Sequence, residues 1–290
     1  MTFVGELPNI GVIDMMMGTR APGGDQYRFL RAQLRDEGSK SMEFPAGYMF
    51  KDDTVRTREL QGAELLLPEM DHFGVDKALI GVSDGNELAQ QALRQHPARF
   101  LASFQIDPNR GMDSVRELVR AYETWGVRAA TAFPAGYMPQ VPISDRRMYP
   151  FYAKCVELGI PIIVNAGVPG PRVPMACQDV AHFDEVCYDF PELTVIMRHG
   201  AEPWEDLAVK LMLKWPGLHY MTSGFAPKYY PEAVVRFANT RGADKVLYAG
   251  YFPMGLSLER IFAELPTVPF AEHVWPKFLR RNAERVLGLT

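Results

Sequence analysis

A single (β/α)8 barrel, a TIM barrel of the α/β class, is the fold that the sequence predicts. Eight short apolar runs alternate along the chain with eight helical patterns, and this alternation is typical of a parallel sheet closed by helices. The runs are apolar on both faces, as expected of strands that helices cover. The length of 290 residues suits one barrel with an insertion. Residues 1–290 are therefore expected to form one domain.

The strands are predicted where β-type residues form continuous runs, and the helices where apolar residues recur with helical spacing. The predicted strands are residues 10–15, 77–82, 100–106, 127–133, 160–165, 193–198, 218–222 and 245–249. The predicted helices are residues 58–73, 87–96, 114–125, 148–158, 180–190, 204–215, 231–240 and 256–265, with a closing helix over 271–287. The same alternation allows an open doubly wound sheet, but no GxGxxG motif follows the first strand.

The first two predicted strands are much farther apart than any other neighbouring pair, because residues 18–57 are inserted between them. The insertion is rich in arginine, methionine and aromatic residues. A segment that follows a barrel strand emerges at the C-terminal face, where active sites of barrels lie. Residues 18–57 are therefore predicted to cover the site as a lid, with a contact to a neighbouring subunit as the alternative.

Composition and charge exclude several classes of partner. The net charge is −4 and the 31 lysine and arginine residues are scattered, so nucleic acid is not an expected partner. No apolar stretch is long enough to span a bilayer, and the N-terminus lacks a signal-peptide pattern. The three cysteines have neither CxxC spacing nor a disulfide framework. We expect a cytoplasmic protein that acts on a small molecule, binds no membrane and forms a homodimer or larger homo-oligomer.

Several strings of residues together carry a family resemblance. They are residues 11–14 (GVID), 190–200 (FPELTVIMRHG), 203–204 (PW), 245–255 (KVLYAGYFPMG) and 281–289 (RNAERVLGL). In their order and spacing they resemble the amidohydrolase-2 family, whose members include metal-dependent hydrolases and aromatic-acid decarboxylases. The resemblance covers nearly the whole chain except the insertion. It implies a TIM barrel with a site at the carboxyl ends of the strands.

The sequence departs from the family where the metal ligands belong. Family members end the first strand with Asp-x-His-x-His, but here Met16 and Gly18 stand at the two histidine positions. Asn165 replaces the histidine after the fifth strand, and Tyr251 replaces the aspartate after the eighth. Only His199 matches the family pattern, whereas catalytic zinc usually has three protein ligands. The resemblance therefore predicts a degenerate metal site and no cofactor, with zinc or manganese held by other ligands left open.

Four residues form the predicted catalytic set. His199 is the candidate acid–base group, because it ends a predicted strand and imidazole exchanges protons near neutral pH. Asp14 ends the first predicted strand and is a candidate to orient an imidazole or a substrate hydroxyl. Asn165 and Tyr251 offer neutral hydrogen-bonding groups that can polarise a substrate.

Five further residues are candidates to bind the substrate. An arginine near the C-terminal face can clamp a carboxylate, a methionine suits an apolar ligand, and a tyrosine of the insertion can cover an aromatic ring. These candidates are Arg20, Arg128, Arg172, Met16 and Tyr48.

Three functions remain open at the level of sequence. The first is a metal-independent enzyme, a lyase, hydratase or hydrolase, that acts on a small or aromatic carboxylic acid or a cyclic carbonyl compound. The second is a metal-dependent hydrolase with relocated ligands, such as Asp14, His199 and Glu43. The third is a ligand-binding pseudoenzyme, in which Met15–Met17 and Tyr251 fill the space that a metal site would need.

Overall fold

The computed structural model describes residues 10–20, 27–50 and 60–289. Its eight strands are parallel and pair in chain order around one sheet, which confirms the predicted (β/α)8 barrel. The strands are β1 Val12–Met17, β2 Val75–Gly81, β3 Phe100–Gln105, β4 Ala129–Ala132, β5 Ile162–Asn165, β6 Val195–Arg198, β7 Leu218–Met221 and β8 Val246–Leu247.

The helices lie in the predicted order along the chain. Two short helices belong to the insertion, eight longer ones follow the strands, and a π-helical turn at Lys277–Arg281 leads into the last helix. The helices are α1 Arg28–Arg31, α2 Glu37–Ser41, α3 Gly62–His72, α4 Glu87–Gln95, α5 Met112–Trp125, α6 Tyr149–Leu158, α7 His182–Asp189, α8 Glu205–Lys214, α9 Glu232–Thr240, α10 Leu258–Glu264 and α11 Asn282–Val286.

Local sequence signals explain where these helices begin, end and pack. The Asn86 side chain accepts a hydrogen bond from the Ala89 amide and so caps the first turn of α4. Gly126 ends α5 in the left-handed conformation, which glycine adopts without strain. The buried face of α5 includes Val115 and Leu118, which recur at helical spacing. None of the helices in the described ranges is long and apolar enough to cross a membrane.

The barrel interior is an apolar core that α11 closes at one end. Ile13, Leu79, Ile163 and other inward side chains of the strands form one cluster with Ala283 and Val286 of α11. The Asn282 side-chain amide donates to the carbonyls of Ala243 and Val246, each at 2.8 Å. Because these carbonyls precede or begin β8, the closing helix lies at the amino-terminal end of the barrel. The carboxyl ends of the strands remain free to form a site.

The seam between β1 and β8 is held by a side chain as well as by the backbone. The Met15 amide donates to the Tyr248 carbonyl at 3.2 Å, and the Gly18 amide donates to the Phe252 carbonyl at 2.8 Å. Between these two bonds, Asp14 Oδ1 accepts from the Gly250 amide at 3.0 Å. On the other side of β1, its register against β2 shifts between Asp14 and Met17. The carboxylate therefore supports a part of β1 where regular strand pairing is interrupted.

Gly250 leaves no room for a side chain at this seam. A Cβ atom at Gly250 would lie 2.6 Å from Asp14 Oδ2 and 2.7 Å from the Tyr248 hydroxyl. Gly250→Ala is therefore expected to destabilise the protein by about 1–3 kcal/mol, the usual cost of overpacking a tight core. Urea unfolding measures this change in the free energy of unfolding.

Gly85→Ala is the matched control, because a Cβ atom there meets nothing within 4 Å. Equal stability of the two alanine variants would contradict the close packing of the seam.

Candidate active site

A cavity of about 620 Å³ opens at the carboxyl ends of the strands, beneath the described part of the insertion. Its lining combines apolar and aromatic side chains with a few polar groups, as is usual for sites that bind small molecules. Met16, Arg20, Asn165, His199 and Tyr251 all contribute to the lining, so the structure brings together five of the nine candidate residues. The methionines of β1 and Tyr251 therefore do not fill the barrel mouth.

Arg198 is a partly buried cation of this cavity, and it was not among the residues predicted from the sequence. It is the last residue of β6 and stands opposite Asn165, the last residue of β5, in the strand register. Its Nε donates to Asn165 Oδ1 at 2.6 Å. The available signal was its place immediately before His199 at the end of a predicted strand, where side chains converge on the site.

The charge of Arg198 is not balanced by the protein in the described ranges. No carboxylate there forms an ion pair with it, and Asn165 is its hydrogen-bonding partner. Burial lowers the pKa of Arg198 to about 10, so the group stays protonated at neutral pH. A partly buried guanidinium without a counterion attracts an anionic ligand.

His199 adopts a strained backbone beside this cation. Its φ is +68°, a conformation that is uncommon for residues other than glycine. The Ser223 hydroxyl lies 3.1 Å from Nδ1, and Gly224 allows this approach because a Cβ atom there would stand 3.0 Å from the same nitrogen. Burial, reinforced by the charge of Arg198, lowers the pKa of His199 to about 3. The imidazole is therefore neutral at physiological pH when no anion is bound.

Tyr251 joins the barrel to the insertion through a series of aromatic contacts. Its ring meets the His199 ring edge-on at 5.1 Å and lies 5.7 Å from the Phe50 ring. Phe50 in turn stacks on Phe44 at 5.8 Å, and Phe44 contacts Tyr27 at 5.3 Å. These rings form an aromatic wall (Tyr27, Phe44, Phe50 and Tyr251) along the cavity. A flat apolar ligand gains both buried area and ring contacts against such a wall.

Asp14 does not line the cavity, so its predicted orienting role toward an imidazole or a substrate has no support in its contacts. Its side chain is fully buried at the seam, where Oδ1 accepts from the amides of Gly250 and Met16. Burial raises the pKa of Asp14 to about 7, although the two amide bonds oppose the shift. Asp14 instead fixes the backbone next to two cavity residues, Met16 and Tyr251.

Arg128 is not near the C-terminal face, and that expectation is wrong. It lies one residue before β4 begins and is exposed, which places it at the amino-terminal end of the barrel. The prediction failed because the run of residues 127–133 is longer than the strand, and a cation that precedes a strand points away from the site.

Arg172 and Tyr48 are not cavity-lining residues in the described structure; they fasten the insertion to the loop after β5. Arg172 forms an ion pair with Asp36 at 2.9 Å, and its guanidinium lies 4.8 Å from the centre of the Tyr48 ring. The Tyr48 hydroxyl donates to the Gly170 carbonyl at 2.8 Å. Both side chains therefore hold residues 36–48 over the mouth, and the expectation that they face the substrate cavity is not met.

The cavity offers a poor set of ligands for a divalent metal ion. Within the described residues, no three His, Cys, Asp or Glu side chains are grouped so that they could hold a metal ion. The described lining has one imidazole, no carboxylate and two guanidinium groups. Glu43 is exposed and Asp14 faces the seam, so the relocated set of Asp14, His199 and Glu43 is not assembled. A divalent ion needs several negative or neutral donors and is repelled by a nearby cation.

Comparison with known proteins identifies the family of the fold and site. The sequence matches the family described as amidohydrolase (amidohydrolase-2) over residues 28–289. No curated protein sequence matches the chain. Among solved structures, it resembles an uncharacterised TIM-barrel protein from Bordetella bronchiseptica, with 22% identity, a TM-score of 0.72, and coverage of 96% of this chain and 99% of that chain.

Two further structures of similar fold have a stated activity. One is 5-carboxyvanillate decarboxylase from Novosphingobium aromaticivorans, complexed with manganese and a nitrobenzoic acid, at 17% identity, TM-score 0.69 and 99% coverage of both chains. The other is 4-oxalomesaconate hydratase from Rhodopseudomonas palustris, at 16% identity, TM-score 0.61, and coverage of 96% of this chain and 95% of that chain. At these identities the likeness establishes the fold alone.

The raised pKa of Asp14 predicts a specific pH dependence of stability. Because the folded protein binds this proton more tightly than the unfolded chain, the contribution of Asp14 to stability is fully present below about pH 4 and is lost as the pH rises toward 7. Asp14→Asn keeps an oxygen acceptor for the two amides and removes the titration. We expect the variant to gain stability relative to the wild type as the pH rises from about 4 to about 7, by at most about 1.4 kcal/mol per pH unit, and the difference to level off above pH 7.

Urea unfolding at several pH values tests this expectation. The lowered pKa values of His199 and His219 make the stability of the protein rise with pH. Because both proteins contain these histidines, their effect cancels in the difference between the wild type and the variant. Parallel stability curves for the two proteins would contradict the assignment to Asp14.

Proposed function

The chain belongs to the amidohydrolase family, and on that premise we propose that it is a metal-independent enzyme that acts on a small aromatic or conjugated carboxylic acid. The observation that carries the proposal is Arg198, a partly buried cation without a carboxylate partner in the described structure, in a cavity with an aromatic wall. An acid with an unsaturated or aromatic body satisfies both features at once. Its carboxylate pairs with the guanidinium, and its flat body packs on the rings.

The ligand set of the cavity supports chemistry by side chains. A metal ion in this family would polarise substrate oxygens or activate water. Here the donors that such an ion needs are replaced by Met16, Gly18, Asn165 and Tyr251, and a guanidinium stands beside the remaining imidazole. Arg198 supplies the fixed positive charge, and Asn165 holds it through Nε so that the two terminal nitrogens can face a carboxylate.

The position of the cation favours addition or elimination of water over loss of carbon dioxide. A guanidinium paired with the carboxylate stabilises the bound acid, whereas loss of neutral CO2 leaves the electron pair and its negative charge on the carbon, away from the guanidinium, so the pairing opposes decarboxylation. The same pairing stabilises an intermediate in which charge moves onto the carboxylate, as when water adds to a conjugated double bond. One of the similar structures is named as a hydratase and another as a decarboxylase, and decarboxylation is the alternative outcome.

His199 is the proposed proton-transfer group, and its basicity depends on the ligand. Burial and the charge of Arg198 keep the free imidazole neutral. The negative charge of a carboxylate bound to Arg198 offsets the second of these causes, so the pKa of His199 rises. The imidazole then becomes a competent base or acid when the substrate is in place. Tyr251, with its ring at 5.1 Å from the imidazole, limits the access of water.

Binding of benzoate to Arg198 variants tests the proposal directly. Arg198→Gln is expected to weaken benzoate binding by about tenfold to a hundredfold, because a hydrogen bond to a charged partner contributes roughly 1.5–3 kcal/mol. Arg198→Lys keeps the charge but not the planar fork and should lose less. Arg128→Gln, at the opposite end of the barrel, is the control and should bind like the wild type. Calorimetry on EDTA-treated protein gives these affinities.

The same protein sample separates the competing functions. Stoichiometric zinc or manganese in the purified protein, with loss of binding after EDTA, would contradict the metal-independent mechanism. Mass spectrometry of conjugated acids incubated with the protein distinguishes gain of water from loss of CO2. Unchanged binding in Arg198→Gln would contradict the proposed substrate class.

The response of His199 to a bound anion gives a second prediction. In the presence of saturating benzoate, the imidazole is expected to titrate at a higher pH than in the free protein. The protein should accordingly take up protons on binding benzoate, and benzoate affinity should rise as the pH falls toward the pKa of the bound state. Nitrogen-15 NMR of labelled histidine measures the shift, and His199→Asn assigns the signal among the six histidines. An identical titration with and without benzoate would rule out this coupling.

A further inference from the structure

A second, smaller cavity lies next to the candidate active site, deeper in the barrel. Its volume is about 350 Å³, and we call it the inner chamber. Seven of the described residues line both cavities, among them Met16, Gln105 and Arg198, so the two spaces adjoin and the guanidinium lies in their shared wall. Met15, Leu79 and Ile163 of the inner chamber belong to the apolar cluster of the barrel interior, which places the chamber below the mouth.

The inner chamber carries hydrogen-bonding groups that the fold does not use. Thr131 on β4 is 7% exposed, and its hydroxyl has no hydrogen-bonding partner among the described residues. Ser103 on the neighbouring strand donates its hydroxyl proton to the Ile80 carbonyl at 3.2 Å, which leaves its oxygen lone pairs toward other donors. Apart from the guanidinium of Arg198, the described lining has no charged side chain.

The Thr131 hydroxyl opens onto the chamber, since its oxygen is not among the described side-chain atoms that are sealed from solvent without a partner. It can therefore bond to a group that enters the chamber. The neighbours of Thr131 on β4 and β5 are alanine, isoleucine and valine, whereas Gln105, its register partner on β3, also lines the chamber. A valine would fit the space of Thr131 without a polar atom. The fold itself does not require a hydroxyl there. Its presence beside a cation points to a polar group of a ligand.

We infer that the inner chamber is a subsite for a neutral, oxygen-bearing substituent of the acid, such as a hydroxyl or carbonyl group, which bonds to the Thr131 hydroxyl. The inference rests on the proposed function, in which Arg198 takes the carboxylate of the same molecule. A purely apolar substituent would leave the Thr131 hydroxyl unpaired. A second carboxylate would be buried without a cation, because the one guanidinium is already paired.

Relative affinities of simple benzoates test the subsite. The probes are benzoate, the three monohydroxybenzoates and isophthalate, each titrated by calorimetry into the wild type, Thr131→Val and Thr124→Val. Thr131→Val removes the hydroxyl and keeps the shape, and Thr124→Val makes the same change on the exposed face of α5. We expect at least one hydroxybenzoate to bind the wild type about threefold to tenfold more tightly than benzoate, the usual net gain from one hydrogen bond. Isophthalate should show no such gain.

The gain should vanish in Thr131→Val and persist in Thr124→Val. Thr131→Ser, which retains the hydroxyl, should keep it and covers the case in which the valine variant does not fold. If benzoate binds through Arg198 but the ratio of hydroxybenzoate to benzoate affinity is the same in the wild type and Thr131→Val, the subsite is wrong and the proposed function stands. If no benzoate binds, both fail together. Tighter binding of isophthalate than of every hydroxybenzoate would also overturn the neutral character of the subsite.

Discussion

Two backbone amides, from Met16 on β1 and from Gly250 after β8, share one carboxylate oxygen of Asp14. This pair of hydrogen bonds lies where the barrel must close and where regular strand pairing is interrupted. One of these amides belongs to Met16, and the other belongs to the residue before Tyr251. The hydrogen bonds that close the barrel therefore also position two residues of the cavity lining. The carboxylate is fully buried, so the geometry of the site depends on a group whose charge is expensive to maintain.

Electrostatics gives the two residues at the carboxyl end of β6 different charge states. Arg198 remains protonated and lacks a counterion in the described residues, whereas His199 remains neutral beside it. The two side chains are adjacent in sequence, and each affects the charge of the other. Neutral groups at the family's ligand positions are consistent with this arrangement, since a cation and a divalent metal ion would repel each other in so small a space. The proposed acid pairs with the charge of Arg198 and thereby raises the pKa of His199.

The sequence predicts the barrel and part of the site, because parallel strands converge at their carboxyl ends. Met16, Asn165, His199 and Tyr251 end or follow strands, and each lines the cavity. The predictions of individual site residues failed where the direction of the side chain, or a partner far away in the sequence, determines the position of the group. Arg128 precedes its strand, Asp14 turns toward the seam at an irregular register, and Arg172 binds Asp36, 136 positions earlier in the chain. Arg198 was missed because its place at the end of a strand, next to His199, brings it near the site but does not by itself fix which way its side chain faces.

The fastening of the insertion lies outside the cavity that it covers. Asp36 and Arg172 are paired at the surface, and Tyr48 bonds to a backbone carbonyl, whereas Phe44 and Phe50 form the inner face. Different side chains of one short segment therefore attach it to the barrel and line the cavity. Phe44 belongs to a small cluster with Ala46 and Tyr251, whereas Phe50 also packs against the main hydrophobic core. Substitutions at Phe44 can therefore change the shape of the cavity while Asp36 and Tyr48 keep the segment attached, so this position can vary in evolution independently of the attachment.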